Sequence, residues 1–126
     1  MASKTLENLE QFTGTEHWYR HRINRAVLYT DGVKYVAEQA GAYWLIDEIA
    51  LAQRDDANVK AEPFQVWKLS VTDSRATLVC EDGNDKPVFR KDIRFTDFPE
   101  PGVTLYYTDH VLLLPSAPTH DVSALL

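Results

Sequence analysis

The sequence predicts an α+β domain whose N-terminal helices pack on one face of a mostly antiparallel sheet of about five strands. Two observations predict this fold class. Apolar residues recur at helical spacing in the first half of the 126-residue chain and at alternating positions in the second half. A chain of this length forms one domain, 1–126, with an expected ordered core at about 5–116 and a loose tail at 117–126.

The N-terminal region is predicted to form two short helical segments. In the segment 5–12, apolar residues recur every three positions between polar side chains, which is typical of a short amphipathic helix. Thr13 and Glu16 have the spacing of a capping box, which indicates a second helical turn. That turn is expected to carry His17, Trp18, Tyr19 and His21.

A short strand and a helix are expected next. The segment 26–30 is a short apolar run of strand type. The pair Asp31-Gly32 can form either a hairpin turn or the start of a helix with Asp31 as N-cap. The helix is favoured because the following apolar residues have helical spacing, and Gly41 is expected to end it.

The strongest helix signal covers residues 42–54. An apolar stripe that includes Tyr43, Trp44 and Ile49 faces a polar side, so this segment is expected to be the central core helix. The polar segment 55–63 that follows is predicted to be an exposed connection.

The second half of the chain has the alternation of strands. The segments 64–71, 76–81 and 87–95 are separated by turn signals and predict a three-stranded meander. A final hairpin is expected to pair 103–107 with 111–114 around Asp109-His110. In the third strand of the meander, one face is expected to carry Phe89, Ile93 and Phe95, and the other Arg90, Asp92 and Arg94.

The net charge of −6 is unevenly distributed. Residues 47–126 contain fourteen acidic and eight basic residues, which argues against direct binding of nucleic acid by this half. Its acidity either keeps the protein soluble or imitates nucleic acid on a protein partner. The acidic residues assigned to such a partner surface, called the acidic set below, are Asp73, Glu81, Asp82, Asp85, Asp92, Asp97 and Glu100.

Composition excludes several other classes. No apolar run approaches the roughly 18 residues that cross a bilayer, and no signal-peptide pattern opens the chain, so a cytoplasmic location is expected. Cys80 is the only cysteine, and its alternating apolar neighbours indicate a small buried side chain rather than a reactive thiol. No cofactor is expected, because the chain has no glycine-rich phosphate loop and no nucleophile elbow.

One segment combines aromatic and basic side chains without acids. Such a segment can stack on bases and contact phosphates, or it can seal the core while its arginines pair with the acidic half. Its candidate binding residues, the aromatic/basic patch, are His17, Trp18, Tyr19, Arg20, His21, Arg22 and Arg25.

A metal site is a further alternative. On a helix, His17 and His21 would share one face, as paired zinc ligands do. Trp18 stands where a metallohydrolase helix needs glutamate, and His110 could be the third ligand only if the fold brings it close. The pattern therefore favours a packed or capping pair of histidines over a metal site.

Seven phrases of the sequence point to one family. They are QFTGTEHWYRH at 11–21, YTDGV at 29–33, AYWLID at 42–47, FQVW at 64–67, CEDGND at 80–85, FTDFP at 95–99 and LLLPS at 112–116. Together they resemble the uncharacterised bacterial domain-of-unknown-function 6876 family over about residues 5–116. The resemblance implies no activity, ligand or catalytic residue. It implies a setting of small free-standing proteins in bacteria, phages and plasmids, where accessory and anti-defence roles occur.

The sequence therefore favours a non-enzymatic binding protein that docks on another protein, with self-association left open. In its sharpest form the acidic set imitates nucleic acid and inhibits a bacterial defence complex, of the anti-CRISPR or anti-restriction type. Two alternatives remain at this point: a metal-dependent hydrolase that uses His17, His21 and His110, and a nucleic-acid binder that uses Arg20, Arg22 and Arg25.

Overall fold

The computed structural model describes residues 17–115. The helix expected at 5–12, the capping-box pair Thr13 and Glu16, and the tail expected at 117–126 lie outside the described residues. The described part has an α+β fold with a seven-stranded mixed sheet and three helices. No helix in this part is long and apolar enough to cross a membrane.

Two short strands come before the helices, and five strands follow them. The early strands are β1 (Trp18–Arg20) and β2 (Leu28–Thr30), and the helices are α1 (Asp31–Ala40), α2 (Tyr43–Asp55) and α3 (Ala57–Lys60). The later strands are β3 (Phe64–Thr72), β4 (Arg75–Glu81), β5 (Pro87–Ile93), β6 (Gly102–Thr108) and β7 (Val111–Leu113).

The strand order in the sheet is β1-β2-β7-β6-β3-β4-β5. The predicted meander β3–β4–β5 and the hairpin β6–β7 are both confirmed. The short strand expected at 26–30 is present as β2. The expectation of about five antiparallel strands is only roughly right, because β2 pairs with β7 in parallel and β1 adds a further strand at the edge. Strands of three residues are too short to show the alternation by which a strand is recognised in a sequence.

The prediction of a helical turn after Glu16 is wrong for the described residues, since Trp18–Arg20 is strand β1. Its residues pair antiparallel with β2, and Tyr19 lies opposite Tyr29. The two tyrosine rings stack with their centroids 5.8 Å apart. Cross-strand aromatic contacts of this kind stabilise a sheet, and here the pairing overrides the local helix signal.

Helix α1 begins one residue earlier than the sequence indicated. Thr30, and not Asp31, is the N-cap, and its Oγ1 accepts a hydrogen bond from Val33 N at 3.4 Å. Gly41 ends the helix as expected, in a left-handed conformation with φ of 62°. Glycine adopts this conformation without the steric cost that a side chain would add.

The central helix α2 is confirmed, but the connection after it is partly helical. Asp56 caps the short helix α3, because its Oδ1 accepts hydrogen bonds from Asn58 N at 2.9 Å and Val59 N at 3.1 Å. Val59 is fully buried in the core. The connection at 55–63 is mostly exposed, as expected, but it also contains a capped helical turn that buries Val59.

The alternation expected for the third meander strand stops early. Phe89 and Ile93 pack against the core, whereas Phe95 lies beyond the end of β5 and is exposed. Thr96 N donates a hydrogen bond to the carbonyl of Ser74 at 2.8 Å, which turns the chain away from the strand direction. The expectation that Phe95 shares the face of Phe89 is therefore wrong.

The helices cover one face of the sheet. In β3 the buried residues Trp67, Leu69 and Val71 alternate with exposed Lys68 and Ser70. The buried side chains join those of the helices in one hydrophobic cluster. This hydrophobic cluster fixes the sheet relative to α2. The surfaces described below lie at the β1 edge of the sheet and at the ends of its strands.

Candidate functional site

The loop between β1 and β2 is fixed to helix α2 by His21. This side chain is only 3% exposed, and its Nε2 lies 2.8 Å from Asp47 Oδ1. Its Nδ1 accepts hydrogen bonds from the backbone N–H groups of Ile23, at 3.2 Å, and Asn24, at 3.0 Å. Both ring nitrogens are therefore engaged within the protein.

Asn24 makes the second connection between this loop and α2. Its Nδ2 donates to the carbonyl of Ala50 at 2.8 Å, and its Oδ1 accepts from Ala26 N at 3.3 Å. The backbone closes the loop through His21 N, which donates to Val27 O at 2.9 Å. A loop with this many internal bonds presents its outward side chains in a defined arrangement.

The outward side chains of β1 and its loop are aromatic, aliphatic and basic. Trp18 is 56% exposed and Ile23 is 51% exposed. The side chain of Arg20, at the end of β1, donates through Nη1 to the carbonyl of Arg25 on the other side of the loop. We call the exposed residues of this region, together with Tyr43, the edge patch: Trp18, Arg20, Arg22, Ile23, Arg25 and Tyr43.

A shallow cavity of about 360 Å³ opens beside the edge patch. Tyr43, at the start of α2, is 40% exposed and lines this cavity together with Arg20 and Arg22. The Tyr43 hydroxyl donates to Glu38 Oε2 at 3.2 Å, which fixes the ring in place. The other lining residues are His21, Tyr29, Ile46 and Asp47.

A charged pair supports the edge strand from α1. Lys34 Nζ lies 2.9 Å from Glu38 Oε2 and 5.3 Å from the centre of the Tyr19 ring. The hydrogen bond to Glu38 raises the pKa of Lys34, and the hydrogen bond from Lys34 lowers the pKa of Glu38. The Lys34 side chain is 33% exposed and that of Glu38 is 50% exposed, so solvent screening leaves this ion pair a small contribution to the stability of the fold.

The three histidines considered as metal ligands are not brought together. His17 is exposed just before β1, so the helix face that it would share with His21 does not exist. His110 lies in the β6–β7 turn and lines a different cavity from His21. Within residues 17–115, no three His, Cys, Asp or Glu side chains are close enough to hold a metal ion.

The acidic set is divided between the two ends of strand β4. At one end, Asp73 N donates to Glu100 Oε2 at 2.9 Å, and Asp92 Oδ1 lies 3.2 Å from Arg90 Nη2. Asp97 lies near this end, because the adjacent Thr96 is bonded to Ser74. The seven residues of β4 extend over about 20 Å, so these acids are separated from the remaining three.

The acids at the other end of β4 have structural partners. Glu81 Oε1 lies 3.0 Å from Lys68 Nζ. Asp82 Oδ1 accepts from Asn84 N at 2.7 Å and from Lys86 N at 3.0 Å, and these backbone donors, that of Lys86 first, lower the pKa of the Asp82 carboxyl. Asp85 lies in the same turn. The acidic set therefore forms two separate clusters and not one continuous face.

Cys80 is a buried free thiol in β4. Burial raises its pKa to about 12. A thiol with so little thiolate at neutral pH is a poor nucleophile.

The sequence did not indicate the residues that hold the edge patch in place through hydrogen bonds. Asp47 and Asn24 look like ordinary polar positions on a helix and in a loop, yet they hold His21 and the loop in place. Tyr43 has helical spacing that assigns it to the core, but it lies on the outer side of α2. The single signal in the sequence was the absence of acids around the arginines at 20, 22 and 25.

Comparison with known proteins gives a family but no activity. No curated protein and no solved structure matches the chain. A family model described as a family of unknown function, DUF6876, matches residues 3–117. This match covers nearly the whole chain and agrees with the resemblance seen in its phrases. The protein therefore belongs to the DUF6876 family.

Proposed function

We propose that this chain is a small non-enzymatic binding protein that docks on another protein through the edge patch. One observation carries the proposal. Among residues 17–115, four large apolar side chains are exposed, and Trp18, Ile23 and Tyr43 are three of them. All three lie on the edge strand, its loop or the adjacent start of α2.

The composition of the edge patch is typical of a protein–protein interface. Trp, Tyr and Arg are enriched among the residues that dominate binding energy. The hydrogen bonds of His21 and Asn24 hold the loop in place before any partner arrives. A preorganised loop loses little conformational entropy on binding, which favours affinity.

Charge specifies the chemistry of the partner. The segment 17–30 contains three arginines and no acid, in a protein whose net charge is −6. A basic patch on an acidic protein favours a partner that presents an acidic surface around an apolar centre, because other orientations bring like charges together. We therefore expect the partner to contact Arg20 and Arg22 with carboxylates and Trp18 and Ile23 with apolar side chains.

The test is affinity capture from lysate of the native host with wild-type protein and with two variants, Arg22→Glu and Ile23→Ser. Both changes are on exposed side chains, so the fold is expected to persist. We expect a stoichiometric protein that survives nuclease treatment and is lost with each variant. Arg75→Glu is the matched control, because Arg75 is also exposed and lies five strands away from β1, at about 24 Å.

A partner that is retained by Arg22→Glu and Ile23→Ser would exclude the edge patch as its docking surface. Loss of all capture after nuclease treatment would instead favour the nucleic-acid binder that uses Arg20, Arg22 and Arg25. Zinc that copurifies at one equivalent and disappears in His17→Ala would favour the hydrolase alternative.

The nucleic-acid-mimicking form of the hypothesis remains a separate prediction. It requires the acidic set to contact the partner, so Asp73→Asn and Asp85→Asn would reduce capture. Both residues have positive φ angles, 52° and 66°, and asparagine tolerates this conformation as aspartate does. The substitutions therefore remove charge without adding backbone strain.

A further inference from the structure

A cleft of about 680 Å³ lies at the end of the sheet where β3 begins and β6 ends. Its walls come from the C-terminal turn of α2, the α3–β3 connection, the β1–β2 loop and the β6–β7 turn. This volume is in the range of small-molecule sites. None of the exposed apolar residues of the edge patch lines it.

The floor of the cleft is a fixed network of amide groups. Gln65 is 1% exposed, and its Nε2 donates to Val59 O at 2.8 Å and to Gln53 Oε1 at 2.9 Å. Its Oε1 accepts from Gln53 Nε2 at 2.7 Å and from Trp67 Nε1 at 2.8 Å. Because these groups satisfy one another, the floor is rigid and polar.

Tyr107 contributes a hydroxyl that has no such partner. The residue is 6% exposed and lines the cleft. Its hydroxyl forms no hydrogen bond with any residue in 17–115. A tyrosine hydroxyl is a neutral donor at physiological pH, and burial raises the pKa of Tyr107 further, to about 12. Since Tyr107 lines the cleft and its hydroxyl has no partner among the described residues, this donor is available to an acceptor bound in the cleft.

The rim of the cleft carries both signs of charge. Lys60 and Arg54 contribute cations, and Glu62 and Asp109 contribute carboxylates. In the described part of the chain, Lys60, Glu62 and Asp109 form no ion pair. A ligand with a single charge would face a like charge on this rim, whereas a ligand with both charges would find a partner for each.

We propose that this cleft binds a small zwitterion of the free amino-acid type. Its carboxylate lies toward Lys60 and accepts a hydrogen bond from the Tyr107 hydroxyl, and its ammonium lies toward Glu62 or Asp109. The site is distinct from the docking surface, so the proposal does not depend on the proposed function.

The test is a titration of the ¹⁵N-labelled full chain with each of the common L-amino acids, followed by amide chemical shifts. We expect at least one to cause saturable shifts at about millimolar concentration, centred on residues 53–65 and 107–110. The N-acetyl derivative and the amide derivative of that amino acid each remove one charge, and each is expected to bind roughly tenfold more weakly.

Tyr107→Phe and Tyr106→Phe form a matched pair. The Tyr106 ring lies on the open face of the sheet with its centre 5.2 Å from that of Phe64, so its hydroxyl is away from the cleft. We expect Tyr107→Phe to weaken binding roughly tenfold and Tyr106→Phe to leave it unchanged. Absence of saturable shifts for every amino acid, equal binding by both variants, or undiminished binding of either derivative would overturn the proposal.

Discussion

His21 Nε2 and Asp47 Oδ1, 2.8 Å apart, join the loop of the edge strand to the central helix. Because His21 Nδ1 accepts two backbone N–H groups, this hydrogen-bond network assigns the ring proton to Nε2, which donates it to Asp47. The sequence left three interpretations of this histidine: a packed or capping residue, a metal ligand, or a member of the aromatic/basic patch. Its observed contacts give it a structural role, which is to hold the loop that presents Arg22 and Ile23.

Removing this imidazole is expected to destabilise the protein. His21→Ala empties a position that is only 3% exposed and leaves two backbone donors and a carboxylate oxygen without their partner, which costs about 2–3 kcal/mol in the free energy of unfolding. Urea denaturation measures this change. His17→Ala is the control, because His17 is exposed and its removal is expected to change stability by less than about 0.5 kcal/mol. Equal losses from the two substitutions would contradict the structural role of His21.

Gly102 is expected to tolerate no side chain. Its φ is +117°, and a Cβ atom built on it would lie 1.8 Å from the carbonyl oxygen of Leu69. Gly102→Ala must therefore displace the backbone of β3 or β6, and we expect a loss of more than about 3 kcal/mol or failure to fold.

Gly83→Ala is the matched control for that change. A Cβ atom at Gly83 would lie 3.6 Å from the Phe64 ring, an ordinary contact distance. Thermal unfolding of the two variants is expected to give a near wild-type midpoint for Gly83→Ala only. A soluble Gly102→Ala protein with an unchanged midpoint would show that β3 and β6 can separate without cost.

The elements that the sequence predicted correctly are those with long periodic patterns. Helix α2 and the meander β3–β4–β5 each contain several repeats of one apolar period, so local pattern and tertiary packing agree. Strand β1 was predicted as a helical turn from the capping-box spacing of Thr13 and Glu16. Its three residues are too few to show strand alternation, and its conformation is decided by pairing with β2. Helix α3 was missed for a similar reason, since its one buried residue is Val59.

The candidate surfaces, like the helices and strands, were predicted correctly only where their residues are close together in the sequence. Exposed arginines and aromatic residues next to one another were visible in the sequence, and they remain together in the edge patch. The acidic set was assembled from residues that the sequence could not place, and β4 separates it into two clusters. The cleft that Tyr107 lines was not predicted from the sequence, because it is formed by segments that are distant in sequence, such as the end of α2 and the β6–β7 turn.

The Cys80 thiol is expected to be unreactive while the protein is folded. Burial raises its pKa from 9.0 to about 12, which lowers the thiolate fraction at pH 8 by about a thousandfold. Reaction with a disulfide reagent such as DTNB should therefore be slow in the native protein and immediate in guanidinium chloride. Rapid modification of the native protein, at the rate of a free cysteine, would mean that β4 opens readily.

Tyr107 is expected to make the protein sensitive to alkali. The pKa of a solvent-exposed tyrosine is 10.0, and that of Tyr107 in the folded protein is about 12, because burial disfavours the phenolate. Between these pH values the unfolded chain releases a proton that the folded chain keeps. Stability is therefore complete below pH 10 and falls as the pH rises toward 12, by on the order of 2 kcal/mol from this group.

Tyr107→Phe isolates this contribution, because phenylalanine keeps the ring and has no proton to release. Urea denaturation at pH 7 and pH 11 is expected to show similar stability for the two proteins at the lower pH and a smaller loss for Tyr107→Phe at the higher pH. The lysines and the other tyrosines also titrate in this range, but they are common to both proteins, so their effects cancel in the comparison. An identical loss in both proteins would mean that burial does not raise the pKa of Tyr107 in the native state.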